Sequence, residues 1–343
     1  MVEKDLFEVF NNEQIFKVTL KNKDMSVELL SYGGTIHKLI YKGTDVVVGF
    51  NSILEYQESP TYCGAIIGRY ANRLKDGKCI IDQKEYQLNK NDNGKNHLHG
   101  GNKGYKDYNW KIEELNDENE PYVVFSHIDK DGTENYPGTV KVRVRYTLTN
   151  DNALKIDYFA TTDKTTVINL TNHAYFNLNG YDAGTIENHE LYINASYYTP
   201  TDETLIPTGE IKAVAGTPFD FTTAKKISNG IDADDEDIKI AKGFDHNFIL
   251  NSADINKPCA ILTADITNIK MSVFTNLPAL QFYAGCCMEG GGINKNGTPL
   301  ENRTALCLET QFFPDTPNKQ PFFPSCEFTK DEEFDFTTIF KFD

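Results

Sequence analysis

The chain has 343 residues, of which 39% are hydrophobic and 12% aromatic, and its formal net charge is −16. This composition is typical of a packed globular protein, and the length allows one large or two medium domains. The acidic balance makes nucleic acid and anionic membrane surfaces poor partners. It also argues against a phosphorylated ligand, which needs clustered Arg and Lys.

Alternation of apolar and polar residues with a period of two dominates the N-terminal part of the chain. It begins at Phe16, Val18 and Leu20, continues at Val27 and Leu29, and stops at a turn over residues 31–34. Two further apolar segments, 79–81 and 86–88, flank Asp82 and Gln83. These patterns predict short antiparallel strands, the last two of which form a hairpin.

The clearest alternation lies in the middle of the chain. Residues 140–148 carry an apolar side chain at every second position, residues 150–152 read Asn-Asp-Asn, and the alternation resumes from 154 to 158. Polar turn residues between two such segments predict a second hairpin. Further strands are expected at 190–194, 248–250, 271–274, 280–283 and 306–308, and two more between 327 and 342.

Helical patterns are nearly absent. Short helices are expected only at 53–58 and 221–228, and the acidic run 231–237 is interpreted as a surface loop. No linker and no internal repeat is visible. The sequence therefore predicts an all-β fold, a large antiparallel β-sandwich with few short helices, in a single domain over residues 1–343.

Cysteine usage indicates a reducing compartment. The seven cysteines include the adjacent pair Cys286 and Cys287, and no C-x-x-C pair exists, so neither a disulfide framework nor a zinc site fits. The first ten residues contain Glu and Asp and no long apolar run, which argues against a secretory signal. No segment approaches the roughly 18 apolar residues of a membrane span. A cytoplasmic protein is expected.

Several histidines and carboxylates stand in unusual settings. His97 and His99 precede two glycines, and His173 and His246 lie in amide-rich or aromatic surroundings. Two acids share such settings, Asp245 and Glu309, the second of which is expected to follow a strand at 305–308. Each of these residues also has a structural interpretation, as a turn residue, a cap or a buried ion-pair partner of Arg303 or Arg73.

A metal site is a further alternative for the same residues. His97 and His99 point to the same side if the segment is extended, and Asp245 and His246 are possible additional ligands. No ligand cluster has the spacing of a known metal motif, so no metal is expected.

Seven ordered sequence blocks resemble the aldose 1-epimerase, or galactose mutarotase, family and run over nearly the whole chain. They are GRYANR (68–73), NHLHGG (96–101), NLTNHAYFNL (169–178), TPTDETLIPTG (199–209), GFDHNF (243–248), LQFY (280–283) and LETQFFPD (308–315).

The resemblance implies the galactose mutarotase-like supersandwich with an open sugar cleft, a monosaccharide substrate and no cofactor. It implies that the protein interconverts the α and β anomers of free hexoses, as a monomer or a homodimer. Glu309 is then the general base, His173 the general acid, and His99 an assisting group near the ring oxygen. The residues implied in sugar binding are Asn72, Arg73, Tyr175, Asp245 and Gln281.

Two segments depart from the family pattern. Residues 284–287 read Ala-Gly-Cys-Cys where the family tends to have Thr-Gly-Asn-Phe, and residues 104–107 read Gly-Tyr-Lys-Asp instead of the commoner Gly-Phe-Asp-Lys. These changes are expected to alter a cleft wall and the sugar preference, not the acid and base.

Three alternative functions stay open at this point. A hexose-6-phosphate 1-epimerase needs extra cations at the cleft, which the acidic composition disfavours. A glycoside hydrolase requires Asp245 and Glu309 to be its carboxylate pair. A non-catalytic carbohydrate-binding protein has no need of a matched acid and base such as His173 and Glu309.

Overall fold

Antiparallel strands make up most of the protein, whose computed structural model describes all 343 residues. The strands are β1 (Val2–Phe10), β2 (Glu13–Lys21), β3 (Met25–Leu30), β4 (Thr35–Tyr41), β5 (Thr44–Asp45), β6 (Ile66–Ile67), β7 (Arg73–Leu74), β8 (Lys78–Ile81), β9 (Lys84–Gln87), β10 (His97–Leu98), β11 (Lys111–Asn116), β12 (Tyr122–Asp129), β13 (Val140–Leu148), β14 (Ala153–Thr162), β15 (Thr166–Val167), β16 (Thr171–Asn172), β17 (Glu190–Ile193), β18 (Ala195–Thr199), β19 (Lys212–Ala213), β20 (Lys225–Lys226), β21 (Asp245–Leu250), β22 (Ala260–Thr263), β23 (Lys270–Thr275), β24 (Ala279–Tyr283), β25 (Cys307–Gln311), β26 (Glu327–Phe328) and β27 (Phe334–Phe342).

Helices are few and short. The α-helices are α1 (Ile53–Glu58) and α2 (Glu236–Ala241), and the 3₁₀ turns are Lys75–Gly77, Tyr105–Asp107, Thr133–Asn135, Ile227–Asn229 and Thr316–Asn318. Helix α1 lies where the sequence predicts it, because Ser52 and Glu55 form a capping box at its start. None of these helices has the length and apolarity needed to cross a membrane.

Three sheets form the body of the fold. The large sheet has nine strands in the order β11-β12-β13-β14-β27-β23-β22-β17-β20. The first small sheet runs β1-β2-β3-β4-β5, and the second small sheet runs β19-β18-β21-β24-β25. Every pairing within these sheets is antiparallel.

Both small sheets pack on the large sheet. On the first, the Tyr146 hydroxyl donates to the Gly34 carbonyl at 2.7 Å, and the rings of Tyr41 and Phe342 lie 5.6 Å apart. On the second, the hydroxyls of Thr310 and Thr338 are hydrogen-bonded between β25 and β27. One cluster of 69 buried residues fills the space between the layers. The predicted antiparallel β-sandwich with few short helices is thereby confirmed.

Both predicted hairpins are present. Strands β13 and β14 pair from Val140 with Thr162 to Leu148 with Leu154, and β8 pairs with β9. In the β13–β14 hairpin the inward positions are buried apolar side chains, as the period of two requires.

The helix expected at 221–228 is wrong. The carbonyl of Phe221 accepts the backbone N–H of Ile193, and Lys225 and Lys226 pair with β17 as the edge strand β20. Sheet pairing thus overrides a weak local helical pattern that includes two β-branched threonines.

The surface loop expected at 231–237 is also wrong at its end, where Glu236 and Asp237 begin α2. The Asp235 side chain accepts the N–H groups of Asp237 and Ile238, and acids in the first turn favour the positive end of the helix dipole. Asp237 is buried, where it accepts hydrogen bonds from the Tyr198 hydroxyl and the Lys212 ammonium. The acidic run therefore caps and anchors a helix.

Candidate active site

A cleft of about 210 Å³ lies over the second small sheet and the loops that face it. Its lining residues are Pro60, Thr61, Tyr62, Asn72, Arg73, Leu98, His99, His173, Tyr175, Leu205, Ala241, Asp245, Tyr283, Cys287 and Glu309. Seven of the eight residues that the sequence singled out are among them. The eighth, Gln281, lies directly behind Asp245, to which its amide donates a hydrogen bond of 2.6 Å.

The second small sheet supplies the polar floor of the cleft. Across its strands, Asn247, Gln281 and Glu309 stand opposite one another, and so do Asp245, Tyr283 and Cys307. Because side chains alternate along a strand, all of these share one face, while the apolar neighbours turn to the core.

The expectation that Glu309 follows its strand is therefore wrong. Glu309 is the central residue of β25, which continues to Gln311. Leu308 and Thr310 point to the large sheet, so Glu309 between them points the opposite way, into the cleft.

Asn72 and His99 are held together by reciprocal hydrogen bonds. The backbone N–H of Asn72 donates to Nδ1 of His99 at 3.1 Å, and the backbone N–H of His99 donates to the Asn72 carbonyl at 3.1 Å. The two glycines after His99 permit this approach, since a Cβ on Gly100 would lie 1.8 Å from the carbonyl oxygen of Gly68.

His173 directly follows the short strand β16, and both its backbone and its ring are held by neighbouring residues. Its backbone pairs with Ala65 and Gly64, and its ring lies between the rings of Tyr62 and Tyr175, at centroid distances of 6.0 and 5.0 Å. Nδ1 faces the thiol of Cys307 at 3.4 Å. Nε2 lies 3.7 Å from Oε1 of Glu309.

Glu309 is a buried acid without a close cationic partner. Only 2% of it is exposed, and Oε2 has no hydrogen-bond partner. Arg303 instead pairs with Glu187 and Asp232, so it does not neutralise Glu309. Burial, aided by the charge of Asp245 and opposed by that of Arg73, raises the pKa of Glu309 well above its usual value.

Burial has the opposite effect on the two cleft histidines. It lowers the pKa of His173 to about 4 and that of His99 well below its usual value, so both rings are neutral at pH 7. Because the Asn72 N–H occupies Nδ1 of His99, the single ring proton of neutral His99 resides on Nε2.

The ligand atoms of His99, His173 and Glu309 lie within 4.8 Å of one another, a spacing that a metal ion could bridge. Metal ligation through Nε2 of His99 requires a free lone pair there, whereas the Asn72 N–H keeps the proton on that nitrogen. The donor set therefore suits hydrogen-bond donation better than metal ligation.

Arg73 and Asp245 form the charged side of the cleft. Nη1 of Arg73 lies 3.8 Å from Oδ2 of Asp245, and Nε donates to Asp92 at 3.2 Å. Behind them, Gln311 donates to Gln281, which donates to Asp245. These hydrogen bonds fix the orientation of the Asp245 carboxylate before any ligand arrives.

Two other histidines from the same motifs do not reach the cleft. His97 is buried between the Asn89 carbonyl and the Tyr136 hydroxyl, so the alternative metal group of His97 and His99 does not form. His246 points into the core, where Nδ1 accepts the Asp245 N–H and the ring contacts Phe219 edge-on at 4.6 Å. Both are structural residues.

Sequence reasoning missed several residues that line the cleft. Tyr283 lies two positions from Gln281 in one strand, so period-two alternation already places it on the same face. Tyr62, Leu205 and Cys287 come from loops and follow no such pattern.

The site has the features of an acid–base centre. A buried carboxylate of raised pKa and a neutral imidazole lie 3.7 Å apart and open into a cleft with an Arg–Asp pair on its wall. Such groups move protons to and from adjacent oxygens of a bound polar ligand.

Comparisons with known proteins point to one family. The family model described as aldose 1-epimerase matches residues 17–341. The galactose mutarotase of Bos taurus is 40% identical over 331 residues, covering 95% of this chain and 93% of its own. The aldose 1-epimerase of Escherichia coli K12 is 38% identical over 335 residues, covering 95% and 94%.

A solved structure of a similar protein has the same fold. The crystal structure of galactose 1-epimerase from Lactobacillus acidophilus superposes with a TM-score of 0.89 at 32% identity, over 100% of this chain and 98% of that one. The chain belongs to the aldose 1-epimerase family of isomerases.

Proposed function

We propose that the protein interconverts the α and β anomers of a free hexose, such as galactose or glucose, with Glu309 as general base and His173 as general acid. His99 assists at the sugar, and the substrate is held by Asn72, Arg73, Tyr175, Asp245 and Gln281. No cofactor takes part in this reaction.

The observation that carries the proposal is the short distance between acid and base. The C1 hydroxyl oxygen and the ring oxygen of an aldose are bonded to the same carbon. Groups that act on both oxygens at once must therefore lie close together, and Nε2 of His173 lies 3.7 Å from Oε1 of Glu309.

The reaction is a pair of proton transfers around one bond. Glu309 removes the proton of the C1 hydroxyl, the bond between C1 and the ring oxygen breaks, and the ring oxygen takes the Nε2 proton of neutral His173, which leaves that ring as a transient imidazolate. The aldehyde rotates about the C1–C2 bond. The ring oxygen then attacks the other face of C1, and both protons return along the same routes.

Burial of both groups assists these transfers. A carboxylate of raised pKa is a stronger base toward a sugar hydroxyl than an exposed one. A neutral imidazole donates to the oxyanion that develops on the ring oxygen, and its surroundings keep it neutral. The Nε2–H of His99 is a second donor directed at the same region of the cleft.

The charge of the cleft favours a free sugar over a phosphorylated one as the substrate. Arg73 is its one lining cation, and this guanidinium is already paired with Asp92 and Asp245. A phosphate group therefore meets no uncompensated positive charge there. A hydrolase that uses Asp245 as its acid is disfavoured because Arg73 and Gln281 hold that carboxylate.

Further proposals concern the chain as a whole. We infer a single domain over residues 1–343, a monomer or homodimer without nucleic-acid partners, and a cytoplasmic location. All seven cysteines are free and six of them are buried, which fits a reducing compartment.

The test is the optical rotation of fresh α-D-galactose and α-D-glucose, with and without the protein, at neutral pH and with a chelator present. Faster decay to the same final rotation supports the proposal, and the rate ratio ranks the two sugars. No acceleration of either sugar contradicts it; hexose 6-phosphates and a chromogenic glycoside then test the phosphate epimerase and the hydrolase.

We expect the pH profile of kcat/KM to have an acid limb above pH 4.5, the usual pKa of a glutamic acid, because burial raises the pKa of Glu309. The base acts only when deprotonated, so activity is lost as the pH falls through that raised pKa. His173, with a pKa of about 4, contributes no alkaline limb between about pH 5 and pH 8. Polarimetry across this range, corrected for spontaneous mutarotation, gives the profile. A fall in kcat/KM with rising pH would instead assign the acid role to the imidazolium.

Cys287 is expected to be the first cysteine alkylated by iodoacetamide, because it is the one exposed cysteine and lines the cleft. Saturating galactose should slow this labelling, and the labelled protein should lose activity. Peptide mass spectrometry identifies the site, and Cys287→Ser serves as the control. Labelling at the same rate with and without sugar would place the substrate away from this wall.

A further inference from the structure

The second ring nitrogen of His173 faces a buried thiol. Sγ of Cys307 lies 3.4 Å from Nδ1, and Cys307 is 0% exposed while His173 is 5% exposed. Cys307 stands two residues before Glu309 on the same face of β25. One strand therefore carries both the group that touches Nδ1 and the carboxylate that lies next to Nε2.

Both partners of this contact are neutral. Burial raises the pKa of the Cys307 thiol well above its usual value, so the S–H proton stays in place at pH 7. Neutral imidazole has one N–H and one acceptor nitrogen. If the thiol donates to Nδ1, the ring proton resides on Nε2, the nitrogen that lies 3.7 Å from Glu309.

The other acceptor within reach of an Nδ1 proton is the backbone carbonyl of His173 itself. That carbonyl already accepts the N–H of Gly64 at 2.9 Å. His99 offers a parallel in the same cleft, since a donor from the protein, the Asn72 N–H, occupies its Nδ1. Both rings then present Nε2–H toward the ligand.

We propose that Cys307 is a positioning residue for the reaction: its thiol donates to Nδ1 of His173, holds the ring in the tautomer that carries its proton on Nε2, and so keeps that proton directed at the sugar ring oxygen. This inference rests on the proposed role of His173 as the acid.

Three variants separate this role from simple packing. Cys307→Ala removes the donor, Cys307→Ser replaces it with a hydroxyl donor, and Cys63→Ala is the matched control. Cys63 is a buried thiol of the same apolar cluster, but its partner is the Thr61 hydroxyl. The two alanine variants therefore remove equal volumes from one cluster, and only one of them changes His173.

We expect Cys307→Ala to lower kcat about five- to tenfold with little change in KM, the effect of one lost neutral hydrogen bond. Cys307→Ser should recover most of this loss, and Cys63→Ala should match the wild type in kcat. Equal loss of kcat in both alanine variants, or no recovery with serine, would reduce Cys307 to a packing residue and overturn the proposal.

Nitrogen-15 NMR of the His173 ring provides a direct measurement in the resting protein, assigned by comparison with His173→Asn. The wild type should show a protonated Nε2 and a bare Nδ1, and Cys307→Ala should show a mixture of tautomers. A proton on Nδ1 in the wild type would overturn the proposal. This measurement needs no turnover, so absence of mutarotation would count against the proposed function without deciding the tautomer.

Discussion

Replacement of Glu309 by glutamine is expected to lower kcat for galactose mutarotation by about 10²-fold or more, the usual scale for loss of a general base. The amide has nearly the same shape as the carboxylate but cannot take the C1 hydroxyl proton. Polarimetry, corrected for the spontaneous rate, measures the loss. KM should change little because Arg73 and Asp245, the proposed sugar-binding residues, are unchanged.

The same variant should be at least as stable as the wild type. Glu309 is a buried acid whose Oε2 lacks any hydrogen-bond partner, and an amide costs less to bury than a charged carboxylate. A midpoint of denaturant unfolding equal to or above that of the wild type is therefore expected. This combination of lost activity and retained stability is characteristic of a group kept for chemistry rather than for folding.

Glu28→Gln is the matched control. Glu28 is another largely buried acid, in β3 of the first small sheet, and it lies near Lys17 and Lys38. Its loss changes the same chemical group at a site away from the cleft, so turnover should stay at the wild-type value. A Glu309→Gln variant with activity within a few-fold of the wild type would remove Glu309 from the mechanism.

The strands of the sandwich were largely predictable because period-two alternation is a local signal. Residues 140–158 show this most clearly, since one apolar face and one polar turn determine both strands and their register. At β25 this local signal is weaker. Glu309 is expected to follow a strand, whereas it lies at the centre of β25 on the side that faces the cleft, and of the two positions beside it Leu308 is apolar and Thr310 is a polar residue bonded to Thr338.

The errors at 221–228 and 231–237 have a different cause. A short helix has little intrinsic stability, so its formation depends on tertiary contacts that the sequence does not reveal. Within 221–228, Lys225 and Lys226 pair with β17, and α2 is anchored by the hydrogen bond from the Tyr198 hydroxyl to buried Asp237. Neither contact is visible from local composition.

Assembly of the site could not be derived from spacing alone. Asn72, His99, His173, Asp245 and Glu309 come from five separate segments, which the sheets bring to one cleft. The family resemblance supplied that set, and it could not supply the loop residue Tyr62 or the contact between Cys307 and His173. Such contacts depend on side-chain positions that only the folded chain defines.

The second large effect is expected at a buried ion pair whose cation, Arg69, belongs to the GRYANR segment. Replacement of Asp129 by alanine should lower the free energy of unfolding by about 3–5 kcal/mol, because it leaves the Arg69 guanidinium buried without its counter-charge. The side chains of Arg69 and Asp129 are 0% and 2% exposed, and Nε donates to Oδ2 at 2.7 Å. Denaturant unfolding at constant pH measures the change.

Two variants show whether the buried charge is the cause. Asp131→Ala removes a nearby exposed acid that pairs with Lys164, and it should have little effect because water screens that pair. The double variant Arg69→Met/Asp129→Leu removes both charges and should recover most of the lost stability, since apolar residues of similar size can replace a buried pair. Equal loss in the single and double variants would attribute the effect to packing alone.

The activity of the double variant would then show what the ion pair does for the site. Arg69 stands three and four residues before Asn72 and Arg73, and its guanidinium also donates to the Pro137 carbonyl. Asp129 also accepts a hydrogen bond from the hydroxyl of Tyr105, whose backbone N–H donates to the Gly68 carbonyl. A double variant that is stable but has a raised KM would indicate that the ion pair sets the position of Asn72 and Arg73, the proposed sugar-binding residues. An unchanged KM would limit the role of the pair to the core.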